Sequence, residues 1–200
     1  MTSSSRTKTA PSLRHDGRIE ATDVRIDSRA CSAEVGPGTC PHRFRHLLTV
    51  VLDDEWGKPT SGTRWTNEQL LFHMVFGYMI AQRLLLLVRL FGRLPDRISR
   101  RFARMLNAAT PIFDVINYYG SCLAAGFYNR KRMGAKLNRV VDALQRSLNR
   151  EDDNAFGRGM HYPTRWDPYF HDYMTVADIY RYPGQHYDHH RRQLTLAKLP

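Results

Sequence analysis

Cysteine is scarce in this chain of 200 residues: there are three, Cys31, Cys40 and Cys122, too few and too scattered for a disulfide framework. Reduced thiols in a cytoplasmic protein are the simpler account. The polar start, Met1 to Pro11, has no apolar run behind it and does not read as a secretory signal. An uninterrupted apolar run of membrane-spanning length is lacking too. Leu70 to Phe91 is apolar almost throughout, but His73, Gln82, Arg83 and Arg89 interrupt it. Its charge-free part, Gln69 to Gln82, falls short of the roughly 18 to 20 residues a bilayer needs. The stretch reads as a central helix buried on most sides, and no transmembrane segment is expected. Strand-like alternation and internal repeats are absent, so the expected fold class is all-α. There is also no zinc-finger spacing, glycine-bracketed aromatic RNA-binding signature or helix-turn-helix pattern.

The hydrophobic content is 42%, enough to fold one domain, and the length does not call for two. Charge is unbalanced: 30 Lys and Arg face 19 Asp and Glu, a formal net charge of +11. The excess lies in the body of the chain, at Arg93, Arg97, Arg100, Arg101 and Arg104, then Arg130, Lys131, Arg132, Lys136 and Arg139. Spaced by three or four, these read as basic helix faces. Without a nucleic-acid module, solvated faces are favoured over nucleic-acid or anionic-surface binding.

Residues 1–41 mix Ser, Thr, Arg, Asp and Gly without a period and close on the turn formers Val35 to Pro41, which predicts a disordered or mobile extension before a domain over 42–200. A first helix is expected from about His42 to Glu55, with Phe44, Leu47, Leu48, Val51 and Leu52 on one stripe. Thr66-Asn-Glu-Gln69 fits a capping box opening a second helix that ends near Gly92, and Leu94-Pro95-Asp96 opens a basic connection. A long third helix or a broken pair follows from Pro111 to Leu148, with Gly120, Gly126 and Gly134 as weak points or sites of close packing. Within it Phe113, Ile116, Tyr119, Leu123 and Phe127 recur at helical spacing and are expected in the core. The aromatic-rich segment 149–174 is too long for an ordinary connection, which points to an ordered functional loop over a pocket. The last helix starts at Thr175-Val-Ala-Asp178, and Pro183 should kink it just before His186.

Among nine histidines, His186 and His190 stand four apart, so their imidazoles leave the same helix face and can converge on one ion. In a helical bundle a third ligand comes from a facing helix, and His73, embedded in the most apolar helix, is the best supplier. His189 offers a spacing of three to His186 but lies off the line, and His161 and His171 sit on the nearby loop. Gln193, one turn past His190, could orient a ligand. Cys122 reads as a small buried hydrophobe. For the loop aromatics Tyr162, Trp166, Tyr169 and Phe170, packing against helix ends is favoured over walling a pocket.

The segment Trp65-Thr-Asn-Glu-Gln-Leu-Leu-Phe-His73, followed over a hundred residues later by Thr175-Val-Ala-Asp-Ile-Tyr-Arg-Tyr-Pro-Gly-Gln-His186-Tyr-Asp-His-His190, resembles the DinB/YfiT-like metalloenzyme superfamily across roughly residues 42 to 197. The resemblance implies a four-helix bundle with an up-down-down-up course, a divalent ion such as Zn or Ni on His73, His186 and His190, and a homodimer. It further implies transfer or isomerisation of a small-molecule substrate with a low-molecular-weight thiol as cosubstrate. Metal-dependent hydrolysis and a non-enzymatic basic binding bundle stand as alternatives. The segment between His73 and the final pair is longer and more basic than a minimal member needs, and Pro183-Gly184 interrupts the last helix.

Overall fold

The computed structural model describes residues 40–197, so the expected N-terminal extension lies outside the described residues but for its last two positions. Six α-helices are found among them: α1 (Cys40–Val50), α2 (Asn67–Phe91), α3 (Asp96–Ala108), α4 (Thr110–Phe127), α5 (Arg130–Leu148) and α6 (Val176–Arg191). The fold is mostly helical, as expected. The long apolar helix α2 is central and packs against α4, α5 and α6, while α1 packs on α5. Among the described residues α2 alone is long and apolar enough to cross a membrane by length and composition, yet 56% of that stretch is buried inside the fold. Its Leu70, Leu71, Met74, Val75, Ala81 and Val88 have no exposed surface, and they meet Met133 and Leu137 of α5 and Val176 and Ile179 of α6 in one core.

Both predicted capping boxes form. Gln69 N–H donates to the Thr66 hydroxyl, and Thr66 N–H donates to Gln69 Oε1 at 3.1 Å. At α6, Asp178 N–H donates to Thr175 Oγ1 at 3.3 Å while Thr175 N–H donates to Asp178 Oδ2 at 2.9 Å. Each box satisfies otherwise orphaned donors at a helix start, and together they set the registers of His73 and His186. The fully buried Asn67 then joins three distant segments: its Nδ2 donates to Glu55 O at 2.9 Å, and its Oδ1 accepts from Thr195 N–H at 3.0 Å. Glu55 completes the joint by accepting from Leu52 and Ala197 N–H groups at 2.9 and 2.7 Å.

Several expectations need correction. The first helix stops at Val50, and Asp53–Glu55 forms a separate 3-10 turn, because the Glu55 carboxylate caps Leu52 N–H. The basic stretch after Pro95 is a helix, α3, whose arginines conceal a narrow inward stripe of Ser99, Phe102 and Ala103. Of the two alternatives for the stretch 111–148 the broken pair is found, with the break at Tyr128–Asn129, where Asn129 Oδ1 accepts from Arg132 N–H at 3.1 Å and caps α5. None of Gly120, Gly126 and Gly134 breaks a helix, although Gly134 does mark close packing, against Leu48 of α1. The α4 stripe is not core: Ile116, Tyr119, Leu123 and Phe127 are 65%, 57%, 79% and 65% exposed. Helical period identifies one face of a helix but cannot say whether that face meets the protein's own core. Phe113 alone of that set turns inward, stacking on Trp166 at 4.0 Å between ring centres.

The fold also contains two short strands, β1 (Gly159–His161) and β2 (Tyr173–Thr175), paired antiparallel with Met160 opposite Met174. At three residues each they are too short to show as alternation in the sequence. They draw together the two ends of the 162–172 part of the expected functional loop. Trp166 Nε1–H donates to Leu106 O at 2.9 Å, and Tyr182 of α6 donates its hydroxyl proton to Asp167 Oδ2, also at 2.9 Å. Helix α6 runs on through Pro183 as one element.

Candidate metal centre

His73 leaves α2 two turns after its cap, and His186 and His190 leave α6 one turn apart; since α2 and α6 pack directly, the three rings meet. Ring centres lie 5.0 Å apart for His73 and His186, 4.8 Å for His73 and His190, and 4.5 Å for His186 and His190. One nitrogen from each falls within 4.8 Å of the others. His189, on the same helix, points away to Tyr169 and Gln193.

Burial holds all three imidazoles neutral at pH 7, the form that carries a lone pair for a metal. It lowers the pKa of His73 to about 3, with a smaller contribution from His190. It lowers that of His190 to about 4, against a partly opposing hydrogen bond to Gln193. His186 is pushed well below the ordinary range, first by burial and then by the neighbouring histidines.

Two of the three rings are held through Nδ1. His190 Nδ1–H donates to Gln193 Oε1 at 2.6 Å, and His73 Nδ1 pairs with the Ser121 hydroxyl of α4 at 3.2 Å. Fixing one ring nitrogen in this way sets the tautomer and the direction of the other. His73 is also held by stacking on Trp65, with ring centres 4.3 Å apart. The third ring differs: His186 Nδ1 is buried with no hydrogen-bond partner among the described residues. On its other side Nε2 stands 3.8 Å from Asp167 Oδ2. A buried orphan nitrogen is costly unless something satisfies it, and a divalent ion bound with its two neighbours would. Histidine-only donor sets suit zinc and nickel, so the residues present fit such an ion.

Gly77, one turn past His73, makes room for this arrangement. A Cβ there would come within 2.7 Å of His186 Cε1 and closer still to Nδ1.

The cluster forms the inner end of a cavity of about 320 Å³. Phe76, Ile80, Leu84 and Leu87 of α2 line one side, Phe113 and Asn117 of α4 a second, and Trp166, Pro168 and Phe170 of the loop cover it. Trp166 and Phe170 therefore wall the pocket as well as pack. Tyr162 does not reach it, its hydroxyl donating to Leu84 O at 3.3 Å. Cys122 is half-buried and outside both cluster and cavity.

The three histidines and Gln193 were thus legible in the sequence, whereas Ser121, Asp167, Tyr182 and Gly77 were not. Only Gly77 carried a usable signal, a helix-weakening residue in the middle of the most apolar helix.

No curated protein and no solved structure matches the chain. A family model does match, over residues 39–194, a span that takes in all three histidines, both capping boxes and the covering loop. The chain belongs to the DinB superfamily.

Proposed function

We propose that this protein is a metal-dependent enzyme in which His73, His186 and His190 hold one divalent ion, zinc or nickel, and in which the thiolate of a low-molecular-weight thiol either displaces a leaving group from a small-molecule electrophile, or adds to it and departs again once it has isomerised. One observation carries the reading: three neutral imidazoles, those of His73 and His186 buried and that of His190 half-buried, converge at the inner end of a cavity large enough for a small molecule. A purely structural ion would call for a closed set of four protein ligands, and the described residues gather three His, Cys, Asp or Glu ligands there. When bound, such an ion favours the thiolate, the nucleophilic form of a thiol, at neutral pH. The chain's own residues supply the rest. Ser121 and Gln193 fix ring orientation, Trp65 backs His73, and the loop from Trp166 to Phe170 excludes water from the apolar side. A reduced cytoplasmic setting, where such thiols are abundant, and the up-down-down-up course of the bundle belong to the same reading.

The test is to purify the chain without a histidine tag, load it with zinc or nickel, and assay conjugation of a model electrophile against a panel of small thiols. Turnover with one thiol and none without it is expected. Turnover of ester or amide substrates with no thiol present would replace this reading with hydrolysis.

The same reading includes a homodimer, with the exposed face of α4 as its interface. Ile112, Val115, Ile116, Tyr119, Leu123 and Phe127 are each more than half exposed on a helix with a single charged residue, Asp114. At roughly 100 Å² each they make an apolar patch of about 600 Å², at the upper end for a lone chain and close to the ~800 Å² per partner of a standard interface. A second copy presenting the same helix matches it in size and polarity. Light scattering on the eluting peak should give twice the chain mass, falling to one chain for Leu123→Glu. A monomeric wild type would overturn the interface.

A further inference from the structure

The cavity is elongated in a defined direction. Along α2 its lining residues run His73, Phe76, Gly77, Ile80, Arg83, Leu84 and Leu87, a single helix face some 14 residues long. At 1.5 Å per residue this is about 21 Å from the histidines to Leu87. Between the two ends the walls are apolar, from Phe76, Ile80 and Leu84 on α2 to Phe113, Trp166 and Phe170 opposite. Arg83 is the only Lys or Arg lining it. It is exposed, and among the described residues no hydrogen bond or ion pair engages it. Its Cα lies about 15 Å along the helix from that of His73. The one acidic lining residue, Asp167, sits at the other end, beside His186.

We propose that the cavity binds an elongated, apolar small molecule carrying one anionic group, with the anion held by Arg83 at the outer end and the apolar body reaching inward toward the histidines. The charge distribution sets the direction. A carboxylate at the outer end keeps part of its hydration and gains a guanidinium fork, whereas at the inner end it would be desolvated beside Asp167 and would compete with the thiol for the ion that the reading above places on the histidines. The apolar wall accounts for the body, because burial there gains with every methylene removed from water. The inference that the inner end is the reacting one rests on the metal-dependent reading above; the pairing of the anion with Arg83 does not.

Straight-chain carboxylates from hexanoate to tetradecanoate, with the matching primary alcohols as neutral controls, probe this directly. Binding to the metal-loaded protein is followed by tryptophan fluorescence, since Trp65 and Trp166 both line the cavity. Affinity should rise up to about fourfold per methylene until the cavity is filled. The carboxylate should bind about tenfold or more tighter than its alcohol, as expected for a charge-assisted pair. Arg83→Gln should remove that preference while leaving alcohol binding and metal content unchanged, and Arg83→Lys should restore part of it. The preference should also survive chelation of the metal. Equal binding of carboxylate and alcohol by the wild type would overturn the proposal. So would a preference that chelation abolishes and Arg83→Gln does not, since the anion would then belong at the histidine end. If the chain binds no metal yet keeps the Arg83-dependent preference, the enzymatic reading fails and the binding site stands.

Discussion

His186→Ala is expected to weaken divalent-metal binding by more than 100-fold, and His73→Ala by a comparable factor. Loss of groups that merely orient a metal ligand already costs about 10- to 100-fold, and removing a ligand outright from a set of three leaves two. The two substitutions act from different helices, so a common loss would tie α2 and α6 to one ion. His189→Ala is the internal comparison. It is one residue from His190 but turns toward Tyr169, and it should retain full metal content. Elemental analysis after dialysis against a metal buffer reads all three, with circular dichroism confirming that each variant is folded. Full metal in both His186→Ala and His73→Ala would remove the metal centre.

Gly77→Ala should behave against the usual rule. Inside a helix, replacing glycine by alanine normally stabilises by about 1 kcal/mol, because glycine gives up more backbone freedom. Gly184 of α6, where an added Cβ meets nothing within 4 Å, should follow the rule and leave metal affinity unchanged. At Gly77 the added methyl falls on the buried His186 ring, which must shift from its place in the cluster to admit it. Overpacking of this kind costs about 1–3 kcal/mol, or a melting temperature lowered by ~2–10 °C. Because the displaced ring is a proposed ligand, metal affinity should fall with it, by tenfold or more. Thermal melts of the metal-free protein and metal titrations separate the two effects. A Gly77→Ala variant as stable and as tightly metal-binding as Gly184→Ala would show that the close approach has no consequence.

The parts of the fold readable from sequence were those fixed by short-range chemistry. Thr66 with Gln69 and Thr175 with Asp178 satisfy local donors, so their spacing alone located two helix starts. His186 and His190 share one face of α6, and Gln193, just past its end, is close enough along the chain to reach His190. What escaped depends on which surfaces face each other. Ser121 reaches His73 across 48 positions, and Asp167 reaches His186 from a loop whose path no periodicity describes. Helix α3 was read as a connection because its arginines outnumber its inward residues. The exposed stripe of α4 was read as core because apolar period looks the same whether the covering surface is the chain's own or a partner's.

The distance along the chain between the candidate ligands has a bearing on stability as well as chemistry. His73 and His186 are separated by more than a hundred residues, a span that holds all of α3, α4, α5 and the covering loop. Any ion shared between them is a reversible crosslink across that span. Holding two such distant points together removes conformations from the unfolded chain, and the entropy removed grows with the length enclosed. Such an ion would act as a fastener for the domain, and metal supply would then bear on how long the protein survives as well as on whether it works.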